Sequence, residues 1–376
     1  MWRLRLLMGG NAVRWDLAGR IAAASPAEAR GLATAMTTGH EAWLDPDDET
    51  ALRNSGLAHI ISISGVHMAI VGGAVFFAAR ALIALWPWLA LRINGKKVAA
   101  LIGLVAVGGY LIISGAPAPA VRAAITASTA FVAILIDRRA ITLHALAVSA
   151  LVILLMQPEA VMAPGFQMSF AATAALVALF EAWPRQVKEI NTPWPIRLIQ
   201  GGGAWIALSL GASFVAGVAT GPFALQHFNR VATYGLAANL ITEPVSSFVI
   251  MPFLALGGML ESFGAGGVAL WVAGQGIAFL NAVARFFASL PGATILAASA
   301  PPAALPVAFV GILFMCLWKG RLRWLGLPLA LAINLWPRPP APDVWIAYDG
   351  SAAAVRQGRL ALALRPEAQA FATDLG

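Results

Sequence analysis

Apolar positions run in long unbroken stretches through most of this chain, and charged positions gather in the gaps between them. Gly56–Ala79, Val98–Val121, Leu198–Asn229, Ser262–Ala284 and Phe286–Trp318 contain no Lys, Arg, Asp or Glu. A membrane-crossing helix needs roughly 20 mainly apolar residues at about 1.5 Å rise each. The pattern predicts about ten such segments, near 57–86, 98–114, 119–136, 140–156, 164–183, 203–226, 234–260, 265–290, 303–318 and 322–336, the last short enough to be re-entrant. Residues 1–55 are polar and mixed. Met1–Met8 reads as an interfacial amphipathic start, and Ala18–Met36 as an Ala- and Arg-rich helix ended by an acidic loop at Asp45–Thr50. Residues 337–376 open on a Pro-rich linker, Pro337–Pro342. In that tail Val344–Tyr348 alternates, Asp349-Gly350 is a hairpin turn signal, and Ala352–Arg356 and Leu360–Arg365 follow, so it reads as a short β-meander. The predicted fold is an all-α polytopic integral membrane protein with its membrane region at 56–336.

Composition agrees. Of 376 residues, 60% are hydrophobic and 11% charged, against about 25% charged in a soluble domain. Such a chain has too few charges to cover its surface in water, which excludes a large soluble helical protein. The formal charge of +8 is largely a topology signal. Lys and Arg accumulate in cytoplasmic loops, and here they fall in alternate ones. The first loop holds Arg92, Lys96 and Lys97; the third Arg138 and Arg139; the fifth Arg185, Lys188 and Arg197; the ninth Lys319, Arg321 and Arg323. The even loops hold almost none, and the seventh, near Glu261, is neutral. Odd loops are therefore expected inside, and the N-terminal region and tail outside. One cysteine, Cys316, gives no intrachain disulfide, and Met1–Met8 lacks the apolar core and cleavage site of a signal peptide.

Four polar blocks interrupt the apolar segments. Ser55–Met68 (S-G-L-A-H-I-I-S-I-S-G-V-H-M) places Ser64 and His67 at the start of a span, with a helix break at Gly65. Such residues line protein or water in a membrane, or let helices pack closely. Its two histidines have no acidic or thiol companion, so no metal site is expected. Gly115–Ala123 puts Pro119 in a first helical turn and Arg122 one turn in, either as a phosphate contact or as an Arg reaching the headgroups. Pro164–Ala171 carries Gln167 and Ser169. Thr220–Arg230 and Ala238–Pro244 carry the helix breakers Pro222 and Pro244, with Asn239 and Glu243 on one helix face. An intramembrane Glu is a functional candidate, or an interhelical hydrogen-bond partner. On the expected topology all four blocks lie in the outer half of the membrane.

The block S-G-L-A-H-I-I-S-I-S-G-V-H, preceded by Ala35–Glu41 and followed in order by Gly115–Ala123, Gly165–Ala171 and the Pro222 and Pro244 segments, resembles the ComEC-type competence family over roughly residues 30–320. The resemblance implies a multi-pass protein of the bacterial inner membrane, a channel that moves single-stranded DNA into the cytoplasm during natural transformation. It also implies other competence proteins as partners, and the chain is open to self-association as a homo-oligomer. Ser64, His67, Arg122, Gln167, Asn239 and Glu243 become candidates for the DNA path, with Arg230, Arg285, Phe166 and Phe170 available for phosphate and base contacts. The chain departs from the family at both ends. The first 55 residues are too short for the β-barrel domain many members carry. The histidines His40, His59, His67, His144 and His227 do not form the H-x-H-x-D-H cluster of the family's nuclease-like domain. The chain is read as a shortened member or late-start fragment, with no catalytic residues, no cofactor and no metal. Two other readings compete. A small-molecule permease would use broken helices and a midplane Glu, but no inverted repeat is visible. An intramembrane hydrolase would use Ser64 and His67, but lacks an evident third group or oxyanion donor.

Overall fold

Helices begin where the sequence supplies a cap and end where it supplies Gly, Pro or a charged turn. The computed structural model describes residues 2–182, 194–297, 299–337, 343–347, 350–357 and 360–364. It divides into two compact units, Met1–Gly217 with Ala232–Thr294, and Val218–Val231 with Ile295–Gly376.

In the first unit, α1 (Trp2–Ala24), α2 (Arg30–Thr38) and α3 (Pro46–Asn54) precede the long helices α4 (Gly65–Ala84), α6 (Gly95–Ile113), α7 (Ala118–Leu135), α8 (Leu143–Met156) and α9 (Pro164–Ala182), with the short α5 (Pro87–Ala90) between α4 and α6. Helix α10 (Trp194–Phe228) runs from this unit into the other. Then α11 (Gly235–Val245), a π-turn at Ser246–Ile250 and α12 (Met251–Glu261) form one continuous helical rod, followed by α13 (Gly267–Ser289). Among the described residues seven helical stretches are long and apolar enough to cross a membrane, with α8 and α14 (Ala304–Leu317) shorter. Those two have 14 residues each, about 21 Å of helix. The chain is an all-α polytopic membrane protein.

Several boundaries differ from the sequence reading. The stretch Ala18–Met36 is not one helix: it breaks at Ser25–Ala29, where Pro26 cannot continue α1 and biases the residue before it away from helical geometry. Asp45–Thr50 is not a loop but the start of α3. Asp45 caps it by accepting from the Asp47 N–H at 2.9 Å, Pro46 opens it, and the acids of its first turn sit at the positive helix end. The first span begins at Gly65, eight residues later than expected, because 57–64 is a 3-10 turn and extended chain. The tenth segment is not a span: residues 321–335 form a 3-10 turn and the short helices α15 (Gly326–Ala330) and α16 (Ala332–Leu335), broken around Gly326 and Pro328. The expected break at Pro222 is absent. Helix α10 continues through it to Phe228, because losing one backbone bond near a helix end leaves the rest of the ladder intact. The amphipathic side chains expected at 1–8 and the fifth-loop residues Arg185 and Lys188 lie outside the described residues.

Two cores hold the first unit. One joins the N-terminal segment to α11–α13 through Ile21, Leu32, Met36, Leu52, Leu57, Ile250, Leu270 and Ile277. The other joins α4, α6 and α7 through Met68, Phe76, Val107 and Phe131. Helices in lipid associate by close packing rather than by escape from water. Gly72 and Gly103 show how. A β-carbon on either would fall within 2.9 Å of the Phe131 ring. Helix α6 separates two ends. At one, Lys97 pairs with Asp137 at 2.7 Å and joins the first and third loops, holding the Asp137 carboxyl below its usual range. At the other, the Tyr110 hydroxyl donates to the Met36 carbonyl at 3.0 Å, and Gly39 packs on the Ser114 carbonyl. The sixth and eighth loops meet as well. Thr233 donates to the Gly292 carbonyl at 2.7 Å and Tyr234 to Pro291 at 3.0 Å. The first arm of the N-terminal segment reaches further along the bundle, with Ile21 against Gly258 and Pro26 against Gly274.

In the second unit Gln226 holds the Ala300 backbone twice, donating to its carbonyl at 3.0 Å and accepting from its N–H at 3.2 Å. Helix α14 packs on α15 through Gly311 and Gly326. The short strands β1 (Arg230–Ala232) and β2 (Thr294–Leu296) lie where the chain passes between units. The tail is the expected meander: β3 (Val344–Ile346), β4 (Ala353–Gln357) and β5 (Leu360–Leu364) pair antiparallel, with Val344 opposite Val355 and Val355 opposite Leu362.

Candidate functional site

The loop before α4 carries the first polar group. Gly56, at φ +82°, lies so close to Gly235 that a side chain on it would strike the α11 backbone, which pins residues 55–64 to the start of α11. Ser64 then caps α4 from an extended conformation. His67, one turn in, accepts the Ser64 N–H on Nδ1 at 3.1 Å, with the Ser64 hydroxyl 3.0 Å from the same nitrogen. An Nδ1 that accepts leaves the proton of a neutral imidazole on Nε2. That Nε2 is buried and has no partner among the described residues. Gly65 is not a break inside the span but its first residue.

Across from this loop, Asn239 and Glu243 stand one turn apart on α11. Glu243 accepts from the Ser247 hydroxyl at 2.9 Å, bridging Pro244. Pro244 offers no N–H, and the chain passes directly into the π-turn Ser246–Ile250. The break expected at Pro244 thus becomes a change of helix type, the form such turns take at functional sites. The Asn239 Oδ1 is buried without a partner.

The third group lies between α7 and α9. Pro117 is extended, and Pro119 sits in the first turn of α7, as expected. Arg122 follows one turn on. Its guanidinium lies over Gly165 at the start of α9, where a β-carbon would come 2.6 Å from Nη2. Its Nε is buried and unpartnered among the described residues. A charged Arg left in a membrane segment costs about 3 kcal/mol on the insertion scale. Gln167 acts on its own helix start. Its Nε2 donates to the Val161 carbonyl at 2.9 Å and closes the 3-10 turn before α9. A small cavity of about 50 Å³ lies among the start of α4, α7, α8 and α9, lined by Gly65, Ala123, Thr126, Leu146, Ser169, Phe170 and Thr173. Gly65 at the start of α4 thus shares a cavity with α7 and α9. Pro222 belongs to the other unit.

These motifs sit within a longer match. A family model described as "Competence protein" covers residues 36–322. The chain belongs to the competence-protein family. Among curated proteins it is 25% identical over 240 residues to "ComE operon protein 3" of Bacillus subtilis (strain 168), covering 64% of this chain and 28% of that protein. It is 27% identical over 228 residues to "Recombination protein 2" of Haemophilus influenzae (strain ATCC 51907 / DSM 11121 / KW20 / Rd), covering 60% of this chain and 28% of that one. The matched region thus spans little more than a quarter of either relative. No solved structure matches the chain. The competence-family match takes in Ser64, His67, Arg122, Gln167, Asn239 and Glu243, along with α3 and the last residues of α2, but not α1.

Residue types and local spacing did not reveal every member of the site in this competence protein. Gly165 and Ser247 join it only because the fold brings Arg122 and Glu243 to them. A second polar cluster takes Arg285, read above as available to phosphate, into an ion pair instead. Asp48 on α3 accepts from Arg285 Nε at 2.8 Å and from Asn281 Nδ2 at 3.1 Å, tying the N-terminal segment to α13. Among the described residues no group of three or more His, Cys, Asp or Glu is placed to hold a metal ion.

Proposed function

We propose that this chain forms the membrane channel through which a single DNA strand passes inward during competence. In this reading it lies in the bacterial inner membrane with its even loops outward, acts beside other competence proteins, and catalyses no reaction itself. The family match supports the reading. The observation that carries it is that three of the six buried polar side-chain atoms without partners among the described residues, His67 Nε2, Arg122 Nε and Asn239 Oδ1, belong to these motifs and lie on three different helices. Buried polar atoms are nearly always hydrogen-bonded, and in a membrane bundle unpaired ones favour a route for a polar solute or water.

The test is import of labelled DNA in a strain lacking the gene, complemented by wild type or by Asn239→Leu, per membrane-inserted protein. Leucine removes an unpaired buried oxygen, which is neutral or favourable for folding. Import should nonetheless fall about tenfold, the equivalent of roughly 1.4 kcal/mol. Unchanged import by Asn239→Leu would sink the path assignment. A small-molecule permease is the second reading, favoured by Glu243 beside Pro244 and a π-turn. It predicts that the deletion strain imports DNA as well as its parent.

A further inference from the structure

Arg122 presents a charge without a counter-charge. Among the described residues no carboxylate pairs with it and no hydrogen-bond acceptor receives its N–H groups, while Thr126 donates only to its backbone carbonyl. The guanidinium has settled over Gly165, in the first turn of the 19-residue α9. The start of a helix carries partial positive charge. Two positive potentials therefore lie close together, an arrangement that an anion would relieve. An Arg that only reaches for headgroups holds its head in the polar interface. Here Nε is buried and without a partner among the described residues, and the guanidinium lies against Gly165 of α9.

We infer that Arg122 and Gly165 form a seat for one phosphodiester of the passing strand, Arg122 supplying the charge and Gly165 the room for it. This rests on the channel reading for its ligand. Five N–H donors in a planar fork suit two phosphate oxygens at once. Ser169, one turn beyond Gly165 on the same face, adds a hydroxyl beside the seat, and Phe170 an aromatic ring next to it. Gly165 is the specificity-determining residue. A methyl group there would displace Nη2, the far end of a flexible side chain, so the fold should survive while the seat is lost.

The experiment uses the purified full chain in detergent and a fluorescein-labelled oligothymidylate, with affinity read by anisotropy across a salt series and folding by thermal melting. Each phosphate contact to a single strand contributes about 0.7 to the slope of log K against log salt. Arg122→Gln and Gly165→Ala should each melt like wild type, bind about tenfold more weakly and lose about 0.7 of the slope. Arg122→Lys should fall between. Arg138→Gln, exposed at the opposite end of α7, should change nothing. Wild-type affinity and slope in both Arg122→Gln and Gly165→Ala would overturn the seat. So would phosphatidylglycerol displacing the oligonucleotide from wild type but not from Arg122→Gln, which would make the seat a lipid site. Normal DNA import in cells with unchanged binding by Arg122→Gln would remove the seat and leave the channel. Arg122-dependent binding in a chain that imports no DNA would support the seat and remove the channel.

Discussion

Asp48 and Arg285 share one ion pair unequally. The Asp48 side chain is 8% exposed and that of Arg285 56%. Removing the arginine leaves a buried carboxylate with only Asn281 to answer it, whereas removing the aspartate releases a guanidinium that water can solvate. Arg285→Ala is therefore expected to cost about 2 kcal/mol after allowance for solvent screening, Asp48→Ala less, and the double variant less than Arg285→Ala alone. Thermal unfolding of the three in detergent measures the order. His40 makes a pH-dependent case in the same N-terminal segment. It is buried, with Nδ1 3.1 Å from the Thr38 hydroxyl, Nε2 3.2 Å from Arg14 Nη2, and the Trp15 ring tilted against it at 4.1 Å. Burial, then the Arg14 charge, push its pKa below the usual 6.5. The neutral ring is thus the form the fold prefers. Its contribution is fully present above pH 6.5 and is lost as pH falls below that value through the folded pKa. Melting temperature should drop over that acidic range, and His40→Gln should flatten the drop.

The helices that crossing a membrane requires were legible because nothing else tolerates twenty uncharged residues in a row. Their beginnings were less so. The first span starts at Gly65 because Ser64 and His67 cap it, a tertiary-independent signal hidden by the apolar residues before it. The tenth segment had the composition of a span but not the continuity, since Gly326 and Pro328 chop it into single turns. Block by block, His67, Arg122, Asn239 and Glu243 stood out as polar residues in apolar surroundings. Their neighbours Gly165 and Ser247 did not, because a glycine over which an arginine lies is ordinary until the partner helix is placed. The division of Ala18–Met36 into the arms α1 and α2 was illegible for the same reason: they pack on each other and on α12 and α13. Pro26 lies where a β-carbon on Gly274 would be. Gly274→Val should leave the spans in place yet loosen this hairpin, and limited proteolysis should then cut within residues 25–29. Resistance equal to wild type would show that the contact does not hold the hairpin down.

Across the whole molecule the Lys97–Asp137 pair gathers the first and third loops at one end, and the N-terminal segment gathers the second and sixth at the other. Cysteines placed singly at Lys96 and Ala118 in a Cys316→Ala background should accordingly label from opposite sides of the membrane. Labelling of both by an impermeant reagent added outside would refute the topology. The tie between Asp48 and Arg285 also has a consequence in time. The two are 237 residues apart, and a ribosome makes roughly 5–20 residues per second. For on the order of ten to fifty seconds, then, α3 waits without the helix it is built to meet. A nascent chain halted before α13 should have a protease-sensitive α2–α3 segment, and one halted after it a protected one. Residues made long before α13 find their place only once it has emerged.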